Sequence, residues 1–228
     1  MKRLHDTLLR EVLLPRAVFT SREVGELTGS GLAVVSRRLG ALAQRGILTR
    51  VTRGIWAQPQ HPDFSPYAVL PFLLRGTRDK QSQQPLGYVS LLSALSLHGV
   101  ISQIPRSIAL VAARQLPTLR TPVATYEFHR MERALIGGFE PFGQLRNFDV
   151  ARAEKALFDT LYFSVRKGRR FAHLPELDLP RTFRPSEVEE WISRVAYAPL
   201  RNEVAQRWRA ILERTGFRIP GGRHKATS

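Results

Sequence analysis

The sequence predicts an α+β protein of two domains. A small helical domain with a β-hairpin fills residues 1–60, and a mixed α/β domain with C-terminal helices fills residues 61–228. Three observations carry this reading. Apolar residues recur at helical spacing through most of the first 46 positions, then give way to two short runs rich in β-branched residues around an Arg53-Gly54 turn. From Gly87 the pattern becomes a mixture of strand-like and helical runs. At 228 residues the chain is comfortable for two domains, which cluster near ~100–150 residues each.

The elements of the first domain follow in order. Leu4, Leu8, Leu9, Val12 and Leu13 mark a helix that Pro15 stops. Thr20 opens a second helix as N-cap, with Glu23 completing a capping box, Val24 and Leu27 on its inner face and Gly29 at its end. Ser30 is read as the cap of a third helix, whose apolar stripe is Leu32, Val35, Leu39 and Leu42. Gly46 ends that helix, where a left-handed residue is wanted. Ile47 to Thr52 and Ile55 to Gln58 are then two strands of a hairpin. Short helices, a tight turn, a longer third helix and a hairpin make a winged helix-turn-helix.

Residues 59–87 read as a connector. Proline breaks its first half, Tyr67 to Leu74 is apolar enough to be buried against the second domain, and residues 79–85 form a polar loop. Beyond it, Tyr88 to His98 is expected as a buried helix ending at Gly99. Residues 107–113 and 125–131 are expected as strands, and a third strand ends near Val150. Ala153 to Arg166 reads as a strong amphipathic helix with Ala156, Leu157, Leu161 and Phe163 or Val165 inward. Ser186 is the expected cap of a later helix with Glu189 at the capping-box position. Pro199 to Thr215 forms a final basic helix, and the tail after Pro220 is expected to be disordered.

Charge and composition narrow the function. The chain carries 35 Lys+Arg against 19 Asp+Glu, a formal net charge of +16, so nucleic acid and anionic surfaces lead as partners. The excess is +6 over residues 1–60, +3 over 61–150 and +7 over 151–228. Between Glu26 and Asp63 no acidic residue occurs, while Arg37, Arg38, Arg45, Arg50 and Arg53 all do. A phosphate-facing surface needs such a window, because a carboxylate there would repel the backbone it approaches. The absence of cysteine excludes disulfides, thiolate zinc sites and cysteine nucleophiles. No run approaches the ~18 apolar residues of a membrane span, and the polar start resembles no signal peptide, so a cytoplasmic location is expected.

Helical geometry names the contact residues. With Val35, Leu39 and Leu42 on the core, Ala33, Val34, Arg37, Ala41 and Gln44 turn outward and Arg38 lies on the flank. Arg37 is placed at the floor of a major groove, where a guanidinium reaches both guanine acceptors, and Arg38 on phosphate. Ser30 and the amides behind it suit a phosphate oxygen. Arg50 and Arg53 lie on the wing, against backbone or minor groove. The small residues Ala33, Val34, Gly40 and Ala41 allow a duplex to come close. The basic run at 166–170 and the last helix either widen this footprint or are simply solvated.

Two further segments carry a family resemblance. Residues 87–105, GYVSLLSALSLHGVISQIP, and residues 149–162, DVARAEKALFDTLY, resemble the two hallmark segments of AbiEi-type antitoxins, in the same order. These are the antitoxin halves of type IV toxin–antitoxin, abortive-infection systems of phage defence. With the winged helix, the resemblance covers roughly residues 4–165. It implies a DNA-binding repressor of its own operon that recognises inverted repeats. The implied functional partner is a nucleotidyltransferase toxin, typically without a stable complex between the two. A monomer or weak dimer that binds DNA cooperatively would fit.

Catalysis finds little footing in the sequence. Glu154 and Lys155 are adjacent on a helix and point about 100° apart, which misses the acid–lysine geometry of a metal-dependent nuclease; with Asp159 they read as a structural ion-pair cluster. Ser90, Ser93 and Ser96 recur at the spacing of small packing residues, and no nucleophile elbow surrounds them. His98 suits a helix C-terminus. His129 and Glu127 read as a surface pair, and no third ligand completes a metal site. No catalytic residue, cofactor or metal is therefore expected. The alternatives are a winged-helix regulator whose second domain binds a small effector, and a nucleic-acid-processing enzyme.

Overall fold

The computed structural model describes residues 15–74, 87–143, 148–166 and 174–215, so the predicted helix over 4–13, the polar loop over 79–85, the basic run beyond Arg166 and the tail lie outside the described residues. The class is α+β. The chain falls into two units. One holds residues 1–87, 116–128 and 141–149, and the other holds 88–115, 129–140 and 150–228.

In the first unit, β1 (Val18–Thr20) leads directly into helix α1 (Ser21–Thr28), which is followed by α2 (Leu32–Gln44), β2 (Thr49–Thr52) and β3 (Ile55–Ala57). Thr20 caps α1 through a capping box. Its hydroxyl accepts from the Glu23 amide at 3.1 Å, and the Glu23 carboxylate accepts from the Thr20 amide at 2.8 Å. Gly29 and Gly46 adopt left-handed φ values of 61° and 73°.

The sequence reading has no counterpart to β1, which pairs antiparallel with β3 in a three-stranded sheet of order β1-β3-β2. Three residues are too few to show a period, and Phe19, fully buried, is the anchor of that strand. Phe19 packs with Val24, Val35, Leu39, Leu48 and Trp56, with Leu42 and Ala43 half-buried around them. Two expected core residues fall outside: Leu27 is 43% exposed and Leu32 is 55% exposed. Helix α1 has little more than two turns and buries one row through Val24, about 60° from Leu27. Leu32 sits in the first turn of α2, before that helix reaches the core at Val35.

Beyond a 3₁₀ turn (Pro66–Val69) and the short α3 (Leu70–Leu73) come β4 (Gly87–Val89), α4 (Leu91–Leu97), β5 (Ile108–Ala112), β6 (Leu119–Arg120), β7 (Thr125–Arg130), β8 (Phe139–Phe142) and β9 (Phe148–Ala151). Helices α5 (Ala153–Arg166), α6 (Pro185–Ser193) and α7 (Ala198–Thr215) follow. The larger sheet has the order β6-β7-β5-β4-β9-β8, with β4 and β9 parallel and Val89 opposite Val150. No helix among the described residues is long and apolar enough to cross a membrane.

Three expectations are corrected in the second unit. Gly87–Val89 is a buried strand rather than the start of a helix, since a continuous apolar run does not reveal its period. Helix α5 buries Ala156, Leu157, Leu161 and Phe163 as expected but has no exposed opposite face: it is buried from Glu154 to Ser164, because α4, α6 and α7 all pack on it. Helix α6 has no Ser186–Glu189 capping box. It starts at Pro185, whose missing N–H costs nothing in the first turn, with Arg184 as N-cap.

Candidate nucleic-acid interface

Helix α2 presents the predicted contact row to solvent. Ala33, Val34, Arg37, Ala41 and Gln44 are all exposed, and Arg38 is half-buried on the flank. This follows from the anchoring of Val35 and Leu39, both essentially buried, on the opposite side. Arg50 and Arg53 are also exposed. The Arg50 guanidinium lies 5.8 Å from the Trp56 ring centroid, which limits the orientations of a long side chain on a short strand. Trp56 is itself fixed, its indole N–H donating to the Ser21 hydroxyl at 2.8 Å. The hairpin is tied to α1 by the Ser21 amide, which donates to the Gly54 carbonyl at 2.9 Å.

Ser30 does not occupy its predicted place. The N-cap of α2 is Gly31, whose carbonyl accepts from the amides of Val34 and Val35 at 3.0 and 3.1 Å. The Ser30 amide donates to the Gly25 carbonyl and its hydroxyl to the Thr28 carbonyl, so Ser30 closes the turn between α1 and α2. Gly25 permits that closure, since a Cβ there would lie 3.0 Å from the Ser30 carbonyl oxygen.

A groove of about 340 Å³ runs between α2 and the hairpin, lined by Ser21, Leu32, Ser36, Gly40, Arg50, Arg53, Gly54 and Trp56. Sequence reasoning assigned Arg50 and Arg53 and counted Gly40 among the small residues beside a duplex, but placed Leu32 in the core and passed over Ser36. The four-residue spacing of Leu32, Ser36 and Gly40 is the signal that could have joined them: it defines a second stripe on α2, and Gly40 lies about 60° around the helix from Arg37. With Glu23 engaged in the cap and no acid between residues 26 and 63, this side of the unit is basic.

The second unit joins residues of the segments 87–105 and 149–162 through one buried carboxylate. The Asp159 carboxylate, fully buried, accepts from the Ser90 hydroxyl at 2.7 Å and from the Tyr88 hydroxyl at 3.1 Å, and it pairs with the Lys155 ammonium. That ammonium lies 4.5 Å from the Trp191 ring centroid, 4.8 Å from that of Phe158 and 3.6 Å from the Met131 sulfur. Burial pushes the Asp159 carboxyl above its ordinary value, opposed by Lys155, Ser90 and Tyr88. Burial likewise pushes the Lys155 amine down, opposed by Asp159. Leu91, immediately after Ser90, is the one non-glycine described residue with a positive φ, 52°; a left-handed leucine needs surroundings that hold it there.

Side chains this deeply buried cannot meet a substrate, so the cluster is a satisfied polar core. Glu154 stands apart from it, accepting from the Arg184 amide at 2.9 Å at the start of α6. Ser93 donates to the Ser107 carbonyl and accepts from the Ala109 amide. His98 bonds the Ala151 carbonyl through Nε2 at 2.8 Å. His129 is buried rather than on the surface, its ring 5.4 Å from that of Phe163 on α5.

No family model and no curated protein matches this chain. Among solved structures it is similar to the crystal structure of the RV2827C protein from Mycobacterium tuberculosis. The two are 18% identical with a TM-score of 0.53, over 93% of this chain and 80% of that one. At that identity the likeness is one of fold, and it extends along nearly the whole chain.

Proposed function

We propose that the protein is a DNA-binding antitoxin of the AbiEi kind, a cytoplasmic regulator that represses its own operon and counters a nucleotidyltransferase toxin. On this reading residues 15–60, with the segment before them, are a winged helix-turn-helix. The observation that carries it is the outward row of α2, Ala33, Arg37, Ala41 and Gln44, beside an acid-free basic hairpin. Arg37 projects from between small residues and can enter a major groove to meet guanine O6 and N7. Arg38, Arg50 and Arg53 hold phosphate and set the register. Two copies on an inverted repeat bind cooperatively, and the protein's role is binding rather than catalysis.

Fluorescence anisotropy on the DNA upstream of its own gene, across a salt series, tests this reading. Wild type is expected to prefer that duplex over a scrambled one, and Arg37→Ala to narrow the preference by about 1–3 kcal/mol, the worth of one bidentate base contact. Equal binding to both duplexes at every salt concentration would leave only a generic basic surface and refute operator recognition. Growth rescue on co-expression with the neighbouring toxin gene tests the antitoxin half.

A further inference from the structure

The second unit contains a basic cleft that the operator reading leaves unused. It has a volume of about 630 Å³, within the range of sites that enclose a small organic ligand. The end of β7 supplies Arg130, the turn after it supplies Glu132 and Arg133, the last turn of α5 supplies Arg166, and Gln115 completes the polar rim. Among the described lining residues three guanidiniums accompany one carboxylate, a balance that favours a ligand with more than one negative charge. Arginine forks match phosphate oxygens in shape as well as charge.

The wall is preorganised. The Arg166 guanidinium donates to the Tyr162 hydroxyl at 3.0 Å and lies 5.4 Å from that ring's centroid. The Tyr162 hydroxyl donates in turn to Glu132 Oε1, also at 3.0 Å. Glu132 then decides between ligands. A bare phosphate chain offers only acceptors and meets this carboxylate with repulsion. A ligand that also carries hydroxyl or amino donors can satisfy it. From the charge, the volume and this acceptor we infer that the cleft binds a nucleoside polyphosphate, its phosphates on Arg130, Arg133 and Arg166 and a sugar or base donor on Glu132. The inference stands independently of operator binding.

Isothermal titration of the full chain at physiological salt with EDTA tests it, using ATP, GTP, adenosine and inorganic tripolyphosphate. Saturable binding of at least one of the two nucleotides at one per chain is expected, with no binding of adenosine and at least about tenfold weaker binding of tripolyphosphate. Arg130→Ala and Arg166→Ala should each weaken the nucleotide about tenfold or more, since each removes a charge-assisted hydrogen bond. Arg181→Ala, an exposed arginine on another segment, should leave it unchanged. Arg130 is exposed and carries no core packing, so its variant should melt with the wild type.

Tripolyphosphate binding as tightly as the nucleotides overturns the nucleoside assignment. An Arg181→Ala loss equal to that of Arg130→Ala reduces the site to the diffuse field of a +16 chain. Failure of both nucleotides to bind, with Arg130→Ala weakening a DNA duplex instead, assigns the cleft to a nucleic-acid footprint and refutes the proposal.

Discussion

Removing either partner of the Lys155–Asp159 pair should be costly, but the two removals should differ. In Asp159→Ala the ammonium loses its carboxylate while remaining 1% exposed, with only a thioether and aromatic faces for company. Breaking a buried pair in this way costs about 3–5 kcal/mol. The hydroxyls of Ser90 and Tyr88 lose their acceptor as well, at about 1–3 kcal/mol each when taken alone. The three losses share one network and do not add, and the aromatic faces, already against the ammonium in the wild type, offset none of them. We expect a net loss of about 4–6 kcal/mol, close to the whole stability of many domains. Lys155→Met instead leaves Asp159 with two hydroxyl donors, a compensation the ammonium of Asp159→Ala lacks, and the thioether fills the volume. That variant should lose about 2–3 kcal/mol. Urea unfolding followed by circular dichroism, with hydrogen exchange of the α5 amides to isolate the second unit, measures both. If Lys155→Met proves as damaging as Asp159→Ala or worse, Ser90 and Tyr88 do not sustain the carboxylate as argued.

Three other outcomes are expected. In Lys155→Met, burial raises the Asp159 carboxyl from 3.8 without an opposing cation. The folded value then lies above the unfolded one, and stability is lost as pH rises through that interval. The gap between variant and wild type should therefore widen from pH 4 upward; a constant gap across the titration would contradict it. Thr20→Ala removes the hydroxyl half of the α1 capping box and should cost about 1 kcal/mol in the urea midpoint, with no change expected if the cap is idle. Gly138→Ala places a Cβ at a φ of 66°, 2.9 Å from the Trp191 ring and 3.0 Å from Lys155 Cγ. Strain and overpacking together should cost about 2–4 kcal/mol, and a neutral result in thermal unfolding would show that Trp191 can move aside.

What could be read from the sequence was whatever local chemistry dictates. The Thr20–Glu23 box, the left-handed glycines 29 and 46, the Arg53-Gly54 turn and the outward face of α2 are each set by residues a few positions apart, and each is present. The misses share a different cause. β1 exists because Trp56 and Ile55 lie beside it, 37 and 35 positions along from Phe19 and Thr20. Gly87–Val89 becomes a strand because Val150 pairs with it, and α5 is buried all round because three other helices cover it. Ser30 failed as a cap because Gly31 took the position, a choice of one residue that pattern does not resolve. The exposure of the row on α2 was legible for the same reason as the Thr20 cap. Exposure on a helix follows from the position of its core, whereas the groove beside Arg50 depends on how the hairpin folds back over Ser36 and Gly40.

The parallel pairing of β4 with β9 also sets a timetable for synthesis. Val89 leaves the ribosome 61 positions before Val150, and Ser90 leaves it 69 before Asp159. At ~5–20 residues per second, the central strand, with Tyr88 and Ser90, waits about 3–14 s for its partners. Through that interval β5 can already pair with one side of β4, but the side that β9 will cover stays open, while the cluster around Phe19 and Trp56 already has every member it needs. A nascent chain halted between residues 100 and 150 would thus carry one completed core and one open sheet edge. That edge gives a chaperone its period of access.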